Sequence, residues 1–401
     1  MFRVDWESKM REFAANPITI QPQDIINWMS EHNYPDRVRQ SFRDMFSDGW
    51  EKFNINKFAA HAKVEQVTKL KMIGRWYTEV VSRAIVGAPY CISAIFAGFF
   101  KQIKMRLKEL LDTRCVYADG MTPWDLNAKI QSLTGSDNNL WIVEDDLSMQ
   151  DAQTSQDELN IEHILYHMLG GDSLTIDFYM LCHKDWKWKA HGIKGLWTAT
   201  RCSGEDTTSL GNSICNMICH TRFFERNMRY IKMYAFLGDD VIFISDKKLD
   251  VTGHGTETQK YYNLISKIEQ KHYVGNFLSM LVVNWDGKTQ LVPHYKRLRH
   301  RYSVCNHSFS SIDMIDKVKS RTLSYCLMLG GIKNVHSIAF KINPGVPILN
   351  WYEPHVAIMA NALYDQTNEN TVINQMGCLI NMLEQQKPEV HLVKHFGSSH
   401  K

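Results

Sequence analysis

The nine cysteines include no CxxC pair, and their number is odd with irregular spacing. That pattern suits reduced thiols in a cytosolic compartment rather than a disulfide framework. The longest apolar run, Tyr90 to Phe100, falls well short of the ~20 residues of a membrane-spanning helix. No signal-peptide pattern opens the chain. Prolines number 10 and glycines 22 in 401 residues, with no low-complexity tract and no repeat. A chain of this make-up is expected to fold throughout, and its length allows more than one packed lobe.

Charge of either sign is nearly balanced, at +3 net, so bulk charge does not prove a nucleic-acid partner. Its distribution says more. No acid occurs from Gly287 to Ile312, where Lys288, Lys296, Arg297, Arg299 and Arg301 fall. A second basic group comprises Lys101, Lys104, Arg106, Lys108 and Arg114, diluted by Glu109 and Asp112. Such fields can hold phosphates while the whole chain stays near neutral, although a charge run is also what a solvated face looks like. Cys215, Cys219 and His220 lie in an apolar helical pattern and read as buried structural residues rather than metal ligands.

Periodicity organises the middle of the chain. Phe100, Ile103, Leu107 and Leu111 make a helical stripe, with basic residues between them. Trp141-Ile142-Val143 reads as a strand ending in the acids Glu144-Asp145-Asp146. A helix is expected next, with Ile161, Ile164, Leu165 and Met168 on its apolar face and Gly170-Gly171 as its stop. Residues 172–195 look like an inserted surface element. Thr208 to Phe224 is helical, Lys232 to Ser245 is a hairpin with Gly-Asp-Asp at its turn, and helices such as Met314 to Leu329 and His355 to Tyr364 follow.

Acids on neighbouring strands are what nucleotide addition demands. Two divalent ions ~3.5–4 Å apart can activate a hydroxyl and stabilise a leaving pyrophosphate, and hard cations such as Mg²⁺ take carboxylate oxygens. Asp146 and the pair Asp239-Asp240 supply them. A lone Gly-Asp-Asp is more readily a plain hairpin turn. The order of the other elements is more specific: Asp151 follows Asp146 by five residues, Ser203-Gly204 opens a loop, and Asn212 sits one turn into the next helix. A Ser-Gly loop permits close backbone approach to template or substrate, and Asp151 with Asn212 could bind a ribose 2′-hydroxyl.

Asp146-Leu-Ser-Met-Gln-Asp151, the set Ser203-Gly204, Thr208 and Asn212, and Ala235-Phe-Leu-Gly-Asp239-Asp240 resemble, in order, the three palm motifs of positive-strand RNA virus polymerases. Phe13-Ala-Ala-Asn-Pro-Ile18, Ala88-Pro89 to Leu110, Asp119 to Leu126, Tyr273 to Leu278 and Pro293 to Leu298 are similar to the flanks of the alphavirus-like supergroup, so the likeness runs from about residue 8 to about residue 303. The resemblance implies an α+β right-handed polymerase with an antiparallel palm sheet. Its parts would be fingers at 1–139 and 172–195, palm at 140–171 and 196–289, and thumb at 290–401. It implies template-directed RNA synthesis with two Mg²⁺ ions (or Mn²⁺) held by Asp146, Asp239 and Asp240, with Leu147 beside them. Asp151, Ser203, Gly204, Thr208 and Asn212 would select the ribonucleoside triphosphate, and Arg75 and Arg83, with Lys69 and Lys71, would line its approach. Lys101, Lys104, Arg106, Lys296, Arg297, Arg299 and Arg301 would grip template and product RNA. Lys260, Lys267 and Lys271 are candidates for the proton donor to pyrophosphate, although each reads more readily as a lysine on a solvated helix.

Two departures stand out: Ala-Gln-Thr follows Asp151 where Lys-Ser-Gln is commoner, and Glu205-Asp206 puts acids inside the second motif. Family members also carry capping and helicase domains, so this chain is expected to be a processed product, a separate subunit or an excised domain working with such replicase partners. Host cytoplasm is the expected compartment, with attachment to membranes through partners. A reverse transcriptase shares the palm chemistry, but Asp151 and Asn212 suggest acceptance of the 2′-hydroxyl. A silent palm acting as RNA-binding scaffold has no physical need to crowd carboxylates.

Overall fold

Alternation of side chains decides how the central sheet is buried. In the strands Trp141–Ser148, Ile231–Leu237 and Asp240–Ser245, Val143, Tyr234, Phe236, Val241 and Phe243 enter one apolar core. Their neighbours Ile142, Met233, Ala235, Ile242 and Ile244 enter a second core on the opposite face. A strand apolar on both faces must be covered on both, and helices do this here. The first core is closed by the long helix Tyr90–Leu110 and by Leu210 and Ile214 of the helix Thr208–Cys219. The second is closed by the helices Pro123–Thr134 and Pro354–Tyr364 and by a three-stranded sheet of Val274–Phe277, Met280–Trp285 and Lys288–Pro293.

The computed structural model describes residues 1–32, 35–47, 57–62, 69–73, 77–81, 84–137, 139–148, 150, 154–190, 192–199, 201–204, 206–303 and 311–364. The result is a mixed α+β architecture with several sheets. The central sheet runs Ile265–Ser266, Trp141–Ser148, Asp240–Ser245, Ile231–Leu237, Cys115–Tyr117, with Glu269–His272 also paired to Trp141–Ser148. Every pairing in it is antiparallel except that of Cys115–Tyr117 with Ile231–Leu237. A separate four-stranded sheet joins Ala84–Gly87, Lys57–Ala62, Trp186–Ala190 and Ile193–Trp197. Segment 172–195 is therefore more than surface decoration, because Trp186 is wholly buried, edge-on to Phe58 at 5.2 Å. Among the described residues, no helix is long and apolar enough to cross a membrane.

Three local expectations need correction. The acids do not end their strand: Asp146 pairs with Asp240, and Leu147 and Ser148 pair with Ser266 and Ile265. The helix Gln156–Met168 buries Leu159, Glu162, Leu165 and Tyr166, leaving Ile164 at 58% exposure. A buried glutamate defeats a purely apolar stripe, and it is tolerated because buried Arg201 pairs with it. Helix 208–224 is interrupted at His220, where Thr208–Cys219 passes to Thr221–Asn227.

Candidate active site

Register places the acids. Asp240 lies directly opposite Asp146 across the antiparallel pair, with Ile242 opposite Glu144. Since side chains alternate along a strand, Glu144, Asp146 and Asp240 share one face, while Asp145 turns to the other. Leu237 pairs with Asp240, so Gly238 and Asp239 alone make the hairpin loop. Gly238 has φ +62°, whereas Asp239 is not among the positive-φ residues. Glycine first in a two-residue loop is what a II′-type turn requires, because a Cβ resists that backbone.

The helix Thr208–Cys219 holds this turn from behind. The Gly238 N–H donates to Ser213 Oγ at 2.8 Å, and Asn216 Nδ2 donates to the Gly238 carbonyl at 2.9 Å. Both backbone polar groups of the glycine are thereby tied to one rigid helix, which sets where Asp239 emerges.

Like charges crowd the result. Asp240 is pushed up to about 6, first by burial, then by Asp239, with Asp146 and Glu144 adding and Arg297 opposing. Lys267 Nζ lies 3.7 Å from Asp146 Oδ2, and its N–H donates to the Asp146 carbonyl at 3.1 Å. Glu144 binds Lys271 and accepts from the Asn276 N–H at 3.1 Å, so it is committed to bracing the neighbouring strands. Three remaining carboxylates facing one exposed corner suit hard divalent cations, the species that would offset their repulsion. Leu147 packs its side chain with Cys219 and Leu264 away from that corner, so any part it takes in ligation is through its backbone.

The second-motif residues lie beside the same helix. Thr208 Oγ1 donates to the Cys202 carbonyl at 2.6 Å and closes the loop. Gln150 Nε2 donates to the Asn212 carbonyl at 2.9 Å, which brings the segment just before Asp151 against Asn212. Asp151, Arg75 and Arg83 lie outside the described residues, as do the side chains of Lys69, Lys71 and Arg301. The close approach allowed by Ser203-Gly204 is made to the chain's own backbone. Gly204 N–H donates to the Val86 carbonyl at 2.9 Å, and Val86 N–H donates to Ser203 Oγ at 3.2 Å. A Cβ on Gly204 would stand 3.0 Å from Gly87 Cα and 3.1 Å from Val86 O. Gly204→Val is expected to cost about 1–3 kcal/mol and to lower RNA synthesis, read as a reduced urea midpoint and extension rate. Wild-type values for both would show that the contact is dispensable.

The basic residues divide. Arg106 Nη1 donates to the Leu169 carbonyl at 2.9 Å and its guanidinium also serves Phe13 and Asn16, so it fastens the N-terminal segment and is not free for RNA. Lys104 pairs with Asp119 at 3.2 Å. Lys101 is exposed. Lys296, Arg297 and Arg299 lie exposed on the helix Tyr295–Ser303, with Arg297 Nη1 donating to Ser279 Oγ at 3.1 Å. Of the three lysines considered as proton donors, Lys267 touches Asp146, Lys271 is bound to Glu144, and Lys260 lies over the Tyr261 ring.

His220 reads from the sequence as a buried structural residue and is one, but its partners do not. Asp145 Oδ2 meets His220 Nε2 at 2.9 Å and His254 Nε2 at 3.2 Å, and Ser266 Oγ donates to the same carboxylate at 2.8 Å. All lie behind the acidic strand, and both imidazoles are buried. His220 Nδ1 faces the Asn216 carbonyl at 2.7 Å. With an acceptor at each ring nitrogen, His220 must donate from both and is an imidazolium. Burial opposes its charge, but Cys219 and Asp145 hold its pKa well above the ordinary value. Burial likewise opposes ionisation of Asp145, yet His220 and His254 keep it below the usual carboxylate range. Burial pushes His254 down, so it stays neutral. These partners are 75 to 121 residues apart in sequence, and no local pattern announces them.

A family model described as RNA dependent RNA polymerase matches residues 6–302. No curated protein matches the chain.

Proposed function

The chain belongs to the RNA-dependent RNA polymerase family, and from that premise we propose that it copies an RNA template by two-metal nucleotidyl transfer. It is a nucleotidyltransferase of viral RNA replication in positive-strand RNA viruses. We further assign it to the alphavirus-like supergroup, with fingers at 1–139 and 172–195, palm at 140–171 and 196–289, and thumb at 290–401.

The observation that carries this reading is the register of Asp146 against Asp240 with Asp239 at the adjoining turn. These three would hold two Mg²⁺ or Mn²⁺ ions. Bound there, such ions lower the cost of charge on the attacking hydroxyl and on the triphosphate. The protein's own share is positioning. Ser213 and Asn216 fix the Gly238 turn and so the Asp239 carboxylate. Asp151 and Asn212 receive the ribose 2′-hydroxyl, with Ser203 and Thr208 shaping the loop above it. Lys267 places its Nζ beside Asp146 and is the best placed of the lysines to pass a proton to departing pyrophosphate. Lys101, Lys296, Arg297 and Arg299, with Arg301, contact the RNA backbone, and Arg75 and Arg83 the triphosphate. Capping and helicase subunits and membrane-associated cytoplasmic complexes complete the proposed setting.

Extension of an RNA primer on an RNA template tests the reading. Ribonucleotides are expected to be used at least about a hundredfold more efficiently than deoxyribonucleotides, the scale of about 3 kcal/mol that one lost buried polar contact supplies. Equal use, or a preference for deoxyribonucleotides, would move the enzyme to the reverse transcriptases.

A further inference from the structure

Away from the acidic corner, two histidines and an acid meet on the outer face of the helix Gln156–Met168. His163 and His167 are one helical turn apart, and Asp177 comes from the next helix, Ser173–Met180. The chain reverses between the helices at Gly170, φ +76°, and Asp172 caps the second helix by accepting from the Thr175 N–H at 2.9 Å. The three side chains are thus delivered by rigid elements rather than by a loose loop.

Their polar atoms converge closely. His163 Nε2 is 2.7 Å from Asp177 Oδ1 and 3.1 Å from His167 Nε2, and His167 Nε2 is 3.8 Å from Asp177 Oδ1. Hydrogen bonding alone serves this poorly. With a proton on His163 Nε2, the same N–H must face both Asp177 and His167. With the proton on His167 Nε2, the lone pair of His163 is set against a carboxylate oxygen. A cation takes all three lone pairs at once. Ligands at ~2.0–2.1 Å in a tetrahedron stand ~3.3 Å apart, and the observed spacings bracket that value. Ser173 Oγ lies 3.3 Å from His167 Nδ1, the outer contact that orients a ligating imidazole. The buried trio of Asp145, His220 and His254 differs, because three donors already satisfy its carboxylate.

We propose that His163, His167 and Asp177 form a binding site for a divalent transition metal of zinc character, distinct from the polymerase acids, that clips the two helices together. Two imidazoles and a carboxylate favour zinc over the oxygen-seeking Mg²⁺. The ligands are half-exposed, so metal reaches them from solvent and water completes the shell.

The full chain, stripped by a chelator, is dialysed against Zn²⁺ in the presence of excess Mg²⁺, and bound zinc is measured by atomic emission. The double variant His163→Gln, His167→Gln is expected to hold about one equivalent less than wild type. Co²⁺ in place of Zn²⁺ is expected to give the visible absorption of a low-symmetry four-coordinate site in wild type only. Should the double variant fail to fold, Asp177→Asn is expected to show the same loss of zinc. Equal zinc content in wild type and folded variant, or Co²⁺ spectra that do not differ, overturns the proposal.

Discussion

Asp239→Ala is expected to reduce RNA synthesis by at least about a thousandfold, the scale on which one preorganised charge-stabilising group is lost. The residue sits in a two-residue loop whose glycine is tied at both backbone groups to the helix Thr208–Cys219. Its carboxylate is exposed rather than built into the core, so the substitution leaves the fold standing. Melting temperature and affinity for RNA should therefore remain near wild type while extension fails. Asp146→Ala, on the facing strand, is expected to behave alike. Loss of less than tenfold in either variant would mean that the corner where the strands meet is not the reaction centre.

His220→Ala is expected to destabilise the protein by about 3–5 kcal/mol, the cost of leaving a buried charge without its partner. Asp145 would keep His254 and Ser266 but lose the imidazolium that offsets its charge. The pH dependence has a definite sign. A histidine held above its unfolded value of 6.5 contributes fully below that pH, and the contribution fades as pH rises through the raised folded value. Asp145 behaves oppositely, contributing above the ordinary carboxylate range and losing this only as pH falls through its depressed folded value. The gap in urea midpoint between wild type and variant should accordingly be wide at pH 6 and shrink in alkaline solution. A small gap that ignores pH would show that no charged pair is buried there.

Much of the site was legible because its signals are local. Gly-Asp-Asp between two apolar runs is a hairpin by short-range rules, and Ile231–Leu237 with Asp240–Ser245 form it. The motif of Ser203, Gly204, Thr208 and Asn212 falls on one loop and the first turns of one helix. What periodicity misjudged were faces whose burial depends on distant partners. Ile161 and Ile164 were expected inside, yet Glu162 is, because Arg201 arrives from 39 residues away to meet it. Arg106 looked like a phosphate contact and instead gathers backbone carbonyls from segments 63 and 93 residues distant.

Composition and spacing alone determined that this chain is near neutral and carries acids in the order a nucleotide-adding enzyme needs. Which acids share a corner was decided by strand register, since a shift of one residue would have turned Asp145 outward and buried Asp146. The charged pair of Asp145 with His220 and the convergence of His163, His167 and Asp177 likewise exist only once the chain is packed. Their energies come from distance and burial, and neither quantity is written in a linear order of residues.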